Sequence, residues 1–188
     1  DVLVPRPETE TLVDAILNEN LQGKTLLELG TGSGAISISI AQENKECFIF
    51  ATDISIKSIL VAKQNAAKFC CKNIIFLNHD WNNEWLFPQV DYLISNPPYV
   101  DKEATTGKEE GIWHEPEKAL FSKDKGLSDL KLILSKGKNF LNENGKVYLE
   151  HAPDQYEELN KFAMENGYLN FSNLNDLNGD KRVSIYQC

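Results

Sequence analysis

The chain has 188 residues, of which 41% are hydrophobic and 25% are charged, and its formal net charge is −9. These values are typical of a single globular domain, and the acidic balance argues against a protein whose main task is to grip phosphate backbones. No apolar run in the sequence is long enough to span a membrane. The four cysteines form no C-x-x-C pair, so we expect no metal site, and a reducing cytoplasmic location fits them.

The spacing of apolar residues predicts strands and helices in alternation along the chain. The first five predicted strands cover residues 25–29, 47–52, 74–77, 90–95 and 145–150. Helices are predicted at 11–20, from 35 to about 42, after an N-cap at Ser55, between Leu127 and Phe140, and from Tyr156 to a stop at Gly167. Two further strands, at 169–174 and 183–186, are joined by a loop too short for a crossover helix and should pair antiparallel.

This order predicts an α/β fold with a seven-stranded, mostly parallel sheet covered by helices on both faces. An antiparallel strand is expected at the C-terminal end of the sheet. Residues 96–126 form a long connection between the fourth predicted strand and the next helix. Compact domains rarely keep such long loops without a use.

A glycine-rich segment, residues 30–34 (GTGSG), lies between the first predicted strand and the following helix. Glycine allows a sharp turn and the close approach of a ligand. The spacing differs from the dinucleotide fingerprint G-x-G-x-x-G, and the carboxylate of Glu28 would repel a pyrophosphate but suits a cationic ligand. Together with the two terminal strands, Glu28 favours S-adenosylmethionine over NAD.

Carboxylates follow the next two strands, as an adenosine pocket would require. Asp53 could accept hydrogen bonds from ribose hydroxyls, Asp80 from an adenine amino group, and Trp81 could cover the ring. A helix-capping Asp53 and an ordinarily packed Trp81 are the alternatives. The predicted cofactor-binding residues are Glu28, Gly30, Thr31, Gly32, Ser33, Gly34, Asp53, Ile54, Asp80, Trp81 and Asn96.

The fourth predicted strand is followed by Asn96-Pro97-Pro98-Tyr99. Two successive prolines cannot continue a strand ladder, because proline has no N–H to donate. The chain therefore leaves the sheet with one amide and one aromatic ring at the carboxyl end of a strand, which is where open α/β sheets bind ligands. A plain loop is the alternative.

Residues 28–34, Asp53 and residues 96–99 resemble the motifs of class I S-adenosylmethionine-dependent methyltransferases. The chain more closely resembles the protein-(glutamine-N5) methyltransferases of the HemK/PrmC type. That resemblance is carried by residues 5–10 (PRPETE), 29–36 (LGTGSGAI), Asp80-Trp81, Glu115-Pro116 and Ala119-Leu120. Two local departures are His114, where an aromatic residue is common, and His151-Ala152, where a glycine is usual.

The resemblance implies a Rossmann-like class I methyltransferase sheet of seven strands, with S-adenosylmethionine as cofactor and S-adenosylhomocysteine as product. Its members methylate the glutamine of the Gly-Gly-Gln motif in peptide chain release factors. The family also carries a small helical N-terminal domain. Residues 1–20 are therefore expected to be a linker segment and helix joining that domain, and residues 21–188 to be the catalytic domain, acting as a monomer.

An amide nitrogen is a poor nucleophile. A site that methylates it is therefore expected to hold the NH₂ group with two hydrogen-bond acceptors. We expect the side-chain oxygen of Asn96 and the backbone carbonyl of Pro97 to align this nitrogen with the sulfonium methyl group, since positioning of this kind accelerates transfer. Tyr99 would lie against the planar amide and exclude water. The predicted catalytic residues are thus Asn96, Pro97 and Tyr99, and Pro98 and Arg6 are added as substrate contacts. An ion pair of Arg6 with Glu10 is the alternative for Arg6.

Two other functions stay open at this point. An Asn-Pro-Pro-aromatic turn serves any planar amino group, so an adenine-N6 or guanine-N2 nucleic-acid methyltransferase is possible, although the acidic balance and residues 5–10 argue against nucleic acid as substrate. A non-catalytic cofactor-binding or interaction domain is the alternative from another class, and the intact motifs argue against it.

Overall fold

The structure is a computed structural model and describes residues 6–101 and 120–188. Seven strands form the main sheet in the order β3-β2-β1-β4-β7-β9-β8. Their bounds are β1 Thr25–Leu29, β2 Phe48–Asp53, β3 Ile74–Asn78, β4 Val90–Ser95, β7 Leu141–Glu150, β8 Asn170–Asn175 and β9 Lys181–Gln187. Two short strands, β5 Val100–Asp101 and β6 Phe121–Ser122, pair in parallel outside this sheet.

The helices connect the strands and lie on both faces of the sheet. Their bounds are α1 Thr9–Leu17, α2 Ala35–Glu43, α3 Ile56–Lys68, α4 Ser128–Gly137 and α5 Tyr156–Glu165, with a 3₁₀ turn at Lys138–Phe140. Ser55 caps α3 as predicted, because its side chain accepts a hydrogen bond from the Ser58 amide. No helix within residues 6–101 and 120–188 is long and apolar enough to cross a membrane.

Strand polarity decides which ends of the strands meet. The first four strands and β7 run parallel, whereas β9 runs antiparallel to both β7 and β8. Ser95 pairs with both Leu29 and Leu149, and Glu150 pairs with Val183. The carboxyl ends of β1, β4 and β7 therefore share one edge with the start of β9, and the predicted fold class is confirmed.

The core follows the period-two alternation of side chains along the strands. On one face, Leu27, Leu93 and Val147 pack with apolar residues of α4 and α5. On the other face, Leu26, Ile94 and Tyr148 pack with residues of α1 and α2. Because both faces are covered, the central strands are apolar almost throughout.

Helix α1 belongs to this core, since its Leu12 and Ile16 are fully buried. The domain boundary at residue 20 stays a prediction, but the helix before it is packed on the sheet.

Some predicted bounds were wrong. Helix α1 begins at Thr9 and ends at Leu17 rather than covering 11–20, and β7 begins at Leu141 rather than Gly145. Phe140 lies in the 3₁₀ turn and not in α4, because the helix ends at Gly137. The pair β5–β6 was not predicted within the long connection, since two-residue strands carry no periodicity of their own.

Candidate active site

The glycine-rich loop joins β1 to α2 and needs glycine for steric reasons. Gly30, Gly32 and Gly34 all have positive φ angles, of 76°, 56° and 83°, a region that side chains disfavour. A Cβ atom on Gly34 would lie 2.9 Å from Cδ1 of Ile38 and 3.0 Å from Cβ of Ala62. The third glycine therefore allows α2 to pack closely on α3.

Glu28 lies two residues before this loop and is buried, with 1% of its surface exposed. Its Oε2 atom accepts hydrogen bonds from the hydroxyl of Thr31, at 2.8 Å, and from the hydroxyl of Ser37. Its Oε1 atom is buried and has no hydrogen-bond partner among the residues that the structure describes. Burial raises the pKa of Glu28 to about 6, and the two hydroxyls oppose that rise. A buried carboxylate oxygen without a partner is an acceptor that a cationic ligand or an N–H donor would satisfy.

Asp53 ends β2 and connects two parts of the site. Its Oδ2 atom accepts from the Gly32 amide at 2.9 Å, and its Oδ1 atom accepts from the Ser55 amide at 2.8 Å. Burial raises its pKa, while these backbone hydrogen bonds lower it. Each carboxylate oxygen has a further lone pair, so Asp53 can hold the loop and still accept from a diol. The neighbouring Ile54 is 49% exposed and offers an apolar contact beside it.

Trp81 follows β3, and hydrogen bonds hold both its side chain and its backbone carbonyl. Its Nε1–H donates to Oδ1 of Asp129 at 3.1 Å, and its carbonyl accepts from Nε1 of Trp85 at 2.8 Å. A Cβ atom on Gly30 would lie 3.2 Å from Cζ3 of Trp81, so the indole ring lies against the glycine loop. The ring is thus a packed aromatic that lies directly beside the glycine loop.

Asp80 is engaged in a turn. Its Oδ1 atom accepts from the backbone and side-chain nitrogens of Asn82, at 2.9 and 2.8 Å, and the backbone hydrogen bond is the main reason why its pKa is lowered. Asp80 follows β3, which ends at Asn78, and it does not touch the glycine loop in any described contact.

Asn96 lies beside the glycine loop, because the preceding Ser95 donates its hydroxyl to the Leu29 carbonyl at 2.7 Å. The side-chain nitrogen of Asn96 donates to Oγ1 of Thr9 at 3.1 Å. Pro97 and Pro98 are buried. The turn after β4 is thus held from both sides, by β1 and by the start of α1.

Tyr99 contacts the end of β7 and the loop that follows it. Its hydroxyl donates to Oε1 of Glu150 at 2.9 Å, and its carbonyl accepts from Nε2 of Gln155 at 2.9 Å. The sequence interpretation did not include Thr9, Gln155 or Glu150 among the site residues. Only the position of Thr9 inside the motif 5–10 could have pointed to it.

Glu150 is fully buried, and its Oε2 atom has no hydrogen-bond partner in the described part of the chain. Burial raises its pKa, whereas hydrogen bonds from Thr9 and Tyr99 and the charges of Arg182 and Arg6 lower it. Arg6, predicted as a substrate contact, therefore lies within electrostatic range of this group.

The β8–β9 turn borders the site beside Arg182. Nε of Arg182 pairs with Oδ2 of Asp176 at 3.2 Å, and its Nη1 donates to the His151 carbonyl at 3.4 Å. Oδ1 of Asp176 accepts from the amides of Asn178 and Asp180, at 2.9 and 3.1 Å. The turn is therefore organised by one buried carboxylate.

The structure brings the glycine loop, Asp53, Trp81 and residues 96–99 to one edge of the sheet, as the sequence predicted. His151 is fully buried and contacts the Ala152 carbonyl and the Ser184 hydroxyl, each at 2.7 Å. Predicted motif residues that lie outside the described residues are Pro5, His114, Glu115, Pro116 and Ala119.

Comparison with known proteins identifies the family of this chain. A family model described as methyltransferase small domain matches residues 7–125. A release factor glutamine methyltransferase of Coxiella burnetii is 37% identical over 190 residues, covering 98% of this chain and 67% of the relative. The protein of that name from Francisella tularensis is 36% identical over 191 residues, covering 100% of this chain and 67% of the relative. The chain belongs to the release factor glutamine methyltransferase family.

The chain spans about two thirds of the length of these family members. A crystal structure of a methyltransferase from Pyrococcus furiosus superposes with a TM-score of 0.72 at 19% identity, covering 100% of this chain and 85% of that one. This likeness shows the fold alone. The sequence-based assignment to the family and to the methyltransferase fold is confirmed.

Proposed function

We propose that this chain is the catalytic domain of an enzyme that methylates the side-chain amide nitrogen (N5) of the glutamine in the Gly-Gly-Gln motif of peptide chain release factors. The observation that carries the proposal is the position of Asn96. Its side-chain nitrogen donates to Thr9, so Oδ1 is the atom that this amide can offer to a substrate as an acceptor. Membership of the family supports the same substrate.

The proposed cofactor is S-adenosylmethionine, which supplies the electrophilic methyl group and leaves as S-adenosylhomocysteine. The Oε1 atom of Glu28, which has no partner within residues 6–101 and 120–188, suits the positive end of such a molecule, because a buried carboxylate gains most from a cation or an N–H donor. Asp53 would accept from the ribose hydroxyls, and Ile54 and Trp81 would line the adenine site. The backbone of the loop, from Gly30 to Gly34 through Thr31, Gly32 and Ser33, would pass close to the ligand, with Asp80 at the adenine end.

The protein's own contribution to the reaction is orientation. Asn96 Oδ1 and the Pro97 carbonyl would each accept one N–H of the substrate amide, so that the nitrogen lone pair points at the methyl group. Fixing a nucleophile in this way is worth several kcal/mol. Tyr99 and the buried Pro98 would exclude water, and Arg6 would contact the substrate beside them. The nitrogen becomes positively charged on transfer and can release its extra proton afterwards.

We further propose that the protein works as a monomer in the cytoplasm, a reducing compartment in which the free thiols of Cys47, Cys70, Cys71 and Cys188 would stay reduced. We retain the proposed organisation in which residues 21–188 form the catalytic domain and residues 1–20 form the connecting segment.

The test uses cofactor carrying a labelled methyl group. Wild-type protein should label a release factor and should not label a release factor whose Gly-Gly-Gln glutamine is replaced by alanine. Asn96→Ala should abolish labelling and leave cofactor affinity within a few-fold, while Asn170→Ala, at an exposed position on β8, serves as the matched control. Label found only on DNA or RNA would refute the proposal in favour of an amino-group methyltransferase acting on nucleic acid.

A further inference from the structure

The side chain of Gln155 connects three segments of the chain. Its Nε2 atom donates to the carbonyl of Tyr99 at 2.9 Å and to the carbonyl of Lys125 at 3.0 Å. Its Oε1 atom accepts from the amide of Ala152 at 2.9 Å. Gln155 is 6% exposed, so these hydrogen bonds are largely shielded from water. One amide group therefore joins the turn after β4, the segment before α4 and the loop after β7.

The three hydrogen bonds fix the orientation of this amide group. A carboxamide has two N–H donors on its nitrogen and acceptor lone pairs on its oxygen. Here two carbonyls take the two hydrogens and a backbone N–H meets the oxygen. The opposite orientation would place the oxygen against two carbonyl oxygens. An ionised carboxylate has no donor, and the cations of lysine and arginine have no acceptor, so glutamine meets a requirement that charged side chains do not.

Helix capping does not account for Gln155. It occupies the N-cap position of α5, where a short polar side chain commonly accepts from the first amides of the helix. The side chain of Gln155 makes no such capping hydrogen bond. It reaches instead to carbonyls that lie 56 and 30 positions away in the sequence. Its side chain therefore serves the neighbouring segments and not its own helix.

The segment that Gln155 holds beside Tyr99 has an unfavourable backbone conformation. Residues Asp124, Lys125 and Gly126 have positive φ angles of 53°, 54° and 84°, a region that residues with a side chain disfavour. Such conformations persist where surrounding contacts hold them, and they cluster at functional sites. A Cβ atom on Gly126 would collide with the Tyr99 carbonyl oxygen and lie 2.6 Å from Nε2 of Gln155. The backbone at residue 126 thus lies directly against the hydrogen bond between Gln155 and Tyr99.

Tyr99 is held at both of its ends from the region where β7 finishes. Its hydroxyl donates to Oε1 of Glu150 at 2.9 Å, and its carbonyl accepts from Gln155. Pro97 and Pro98 are buried, whereas Tyr99 is partly exposed. Part of its surface is therefore open to a substrate while its backbone is fixed.

We propose that Gln155 is a positioning residue for methyl transfer. By holding the carbonyl of Tyr99, it fixes the backbone from which the ring covers the substrate amide. This inference rests on the proposed function, in which Tyr99 lies against the amide that receives the methyl group. None of the described hydrogen bonds of the Gln155 side chain reaches the glycine loop, so its loss should slow the transfer and leave cofactor binding unchanged.

The first variant, Gln155→Met, keeps the length of the side chain and removes its donors. Methyl transfer to a release factor should show kcat lowered by about tenfold to a hundredfold, because a small misplacement in an active site can cost that much. The cofactor Kd should stay within about threefold of wild type, since the cofactor site is not touched. Wild-type kcat in this variant would overturn the inference. Parallel loss of cofactor binding would also overturn it, because the role would then be general support of the fold.

The second variant, Gln155→Glu, makes the same contact depend on pH. A protonated carboxyl group keeps one donor for a carbonyl and an acceptor for the Ala152 amide, whereas an ionised one has no donor. Burial beside two carbonyl oxygens disfavours the ionised form and raises the pKa of the introduced group. The ratio of the variant's kcat to that of wild type should therefore fall at least about tenfold between about pH 5.5 and about pH 8.5. Gln42→Glu, at an exposed position of α2, controls for the added charge, and a ratio for Gln155→Glu that follows this control would contradict the inference.

A third measurement reports on the contact without any substrate. Tyr99-Val100 is the one place in the sequence where valine follows tyrosine. Protein with ¹³C-carbonyl tyrosine and ¹⁵N-valine therefore gives a single amide signal that is coupled to the Tyr99 carbonyl. The ¹³C shift of this carbonyl should change with pH in Gln155→Glu and stay constant in Gln42→Glu.

The outcomes separate the inference from the proposed function. If wild type labels no release factor, the proposed function fails, whatever the carbonyl signal does. If wild type is active and the Tyr99 carbonyl shift in Gln155→Glu does not respond to pH, the positioning role alone is refuted.

Discussion

The buried carboxylate of Glu28 makes stability depend on pH in a way that one substitution isolates. Burial raises its pKa from 4.5 to about 6, so the folded protein keeps the proton at pH values at which the unfolded chain has released it. The stability that this proton contributes is present in full below pH 4.5 and is lost as the pH rises through about 6. At about 1.4 kcal/mol per pH unit, the difference between 4.5 and about 6 corresponds to about 2 kcal/mol.

Glu28→Gln replaces the carboxyl group by an amide of similar shape that does not titrate. The free energy of unfolding of both proteins is measured by urea unfolding at about pH 4 and about pH 7.5. Between these pH values, the difference between wild type and variant should change by about 2 kcal/mol, in favour of the variant at the higher pH. Other carboxyl groups titrate in both proteins and cancel in this difference.

Glu43→Gln, at an exposed position at the end of α2, controls for the loss of one negative charge. A difference between wild type and Glu28→Gln that is the same at both pH values would refute the reasoning. So would a pH trend of equal size in the Glu43 variant, because the cause would then be net charge and not burial.

Two further predictions concern a glycine and an ion pair. Gly126→Ala should destabilise the protein far more than Gly23→Ala, although both glycines have a positive φ. A Cβ atom added at Gly126 would lie 2.0 Å from the Tyr99 carbonyl oxygen, whereas one added at Gly23 would meet nothing within 4 Å. At Gly23, backbone strain alone costs about 1 kcal/mol. Equal losses in urea unfolding would contradict this. Burial opposes ionisation of Glu19, but hydrogen bonds led by that of Lys146 at 2.6 Å lower its pKa. The stability advantage of wild type over Glu19→Gln should therefore shrink as the pH falls below 4.5, and an undiminished advantage in acid would contradict it.

The strands of the central sheet could be predicted because burial on both faces makes them continuous apolar runs. Strands β1 and β4 have the predicted bounds, 25–29 and 90–95. Strand β7 extends four residues further toward the N-terminus, where Leu141 is paired with Val90 through a tertiary contact. The pair β5–β6 depends wholly on such pairing, and local sequence carries no signal for it.

The candidate site also has a part that the sequence predicts and a part that it does not. The glycine loop, Asp53 and residues 96–99 follow strands directly, so the sequence alone placed them at one edge. The Thr9–Asn96 hydrogen bond joins positions 87 apart, and the hydrogen bond from Ser37 of α2 to Oε2 of Glu28 depends on how that helix packs. Sequence patterns cannot predict such contacts, because the residues that form them are far apart in the sequence.

The hairpin between β8 and β9 has a consequence for how such an enzyme can be altered. Because β9 runs antiparallel, this border of the site is a short turn and not a crossover helix, and hairpin turns accept exchange and insertion at little entropic cost. Leu177 at its tip is 90% exposed. New sequence grafted between Asp176 and Arg182, with both kept, could therefore change what the rim presents to a protein substrate while the sheet and the cofactor site stay as they are.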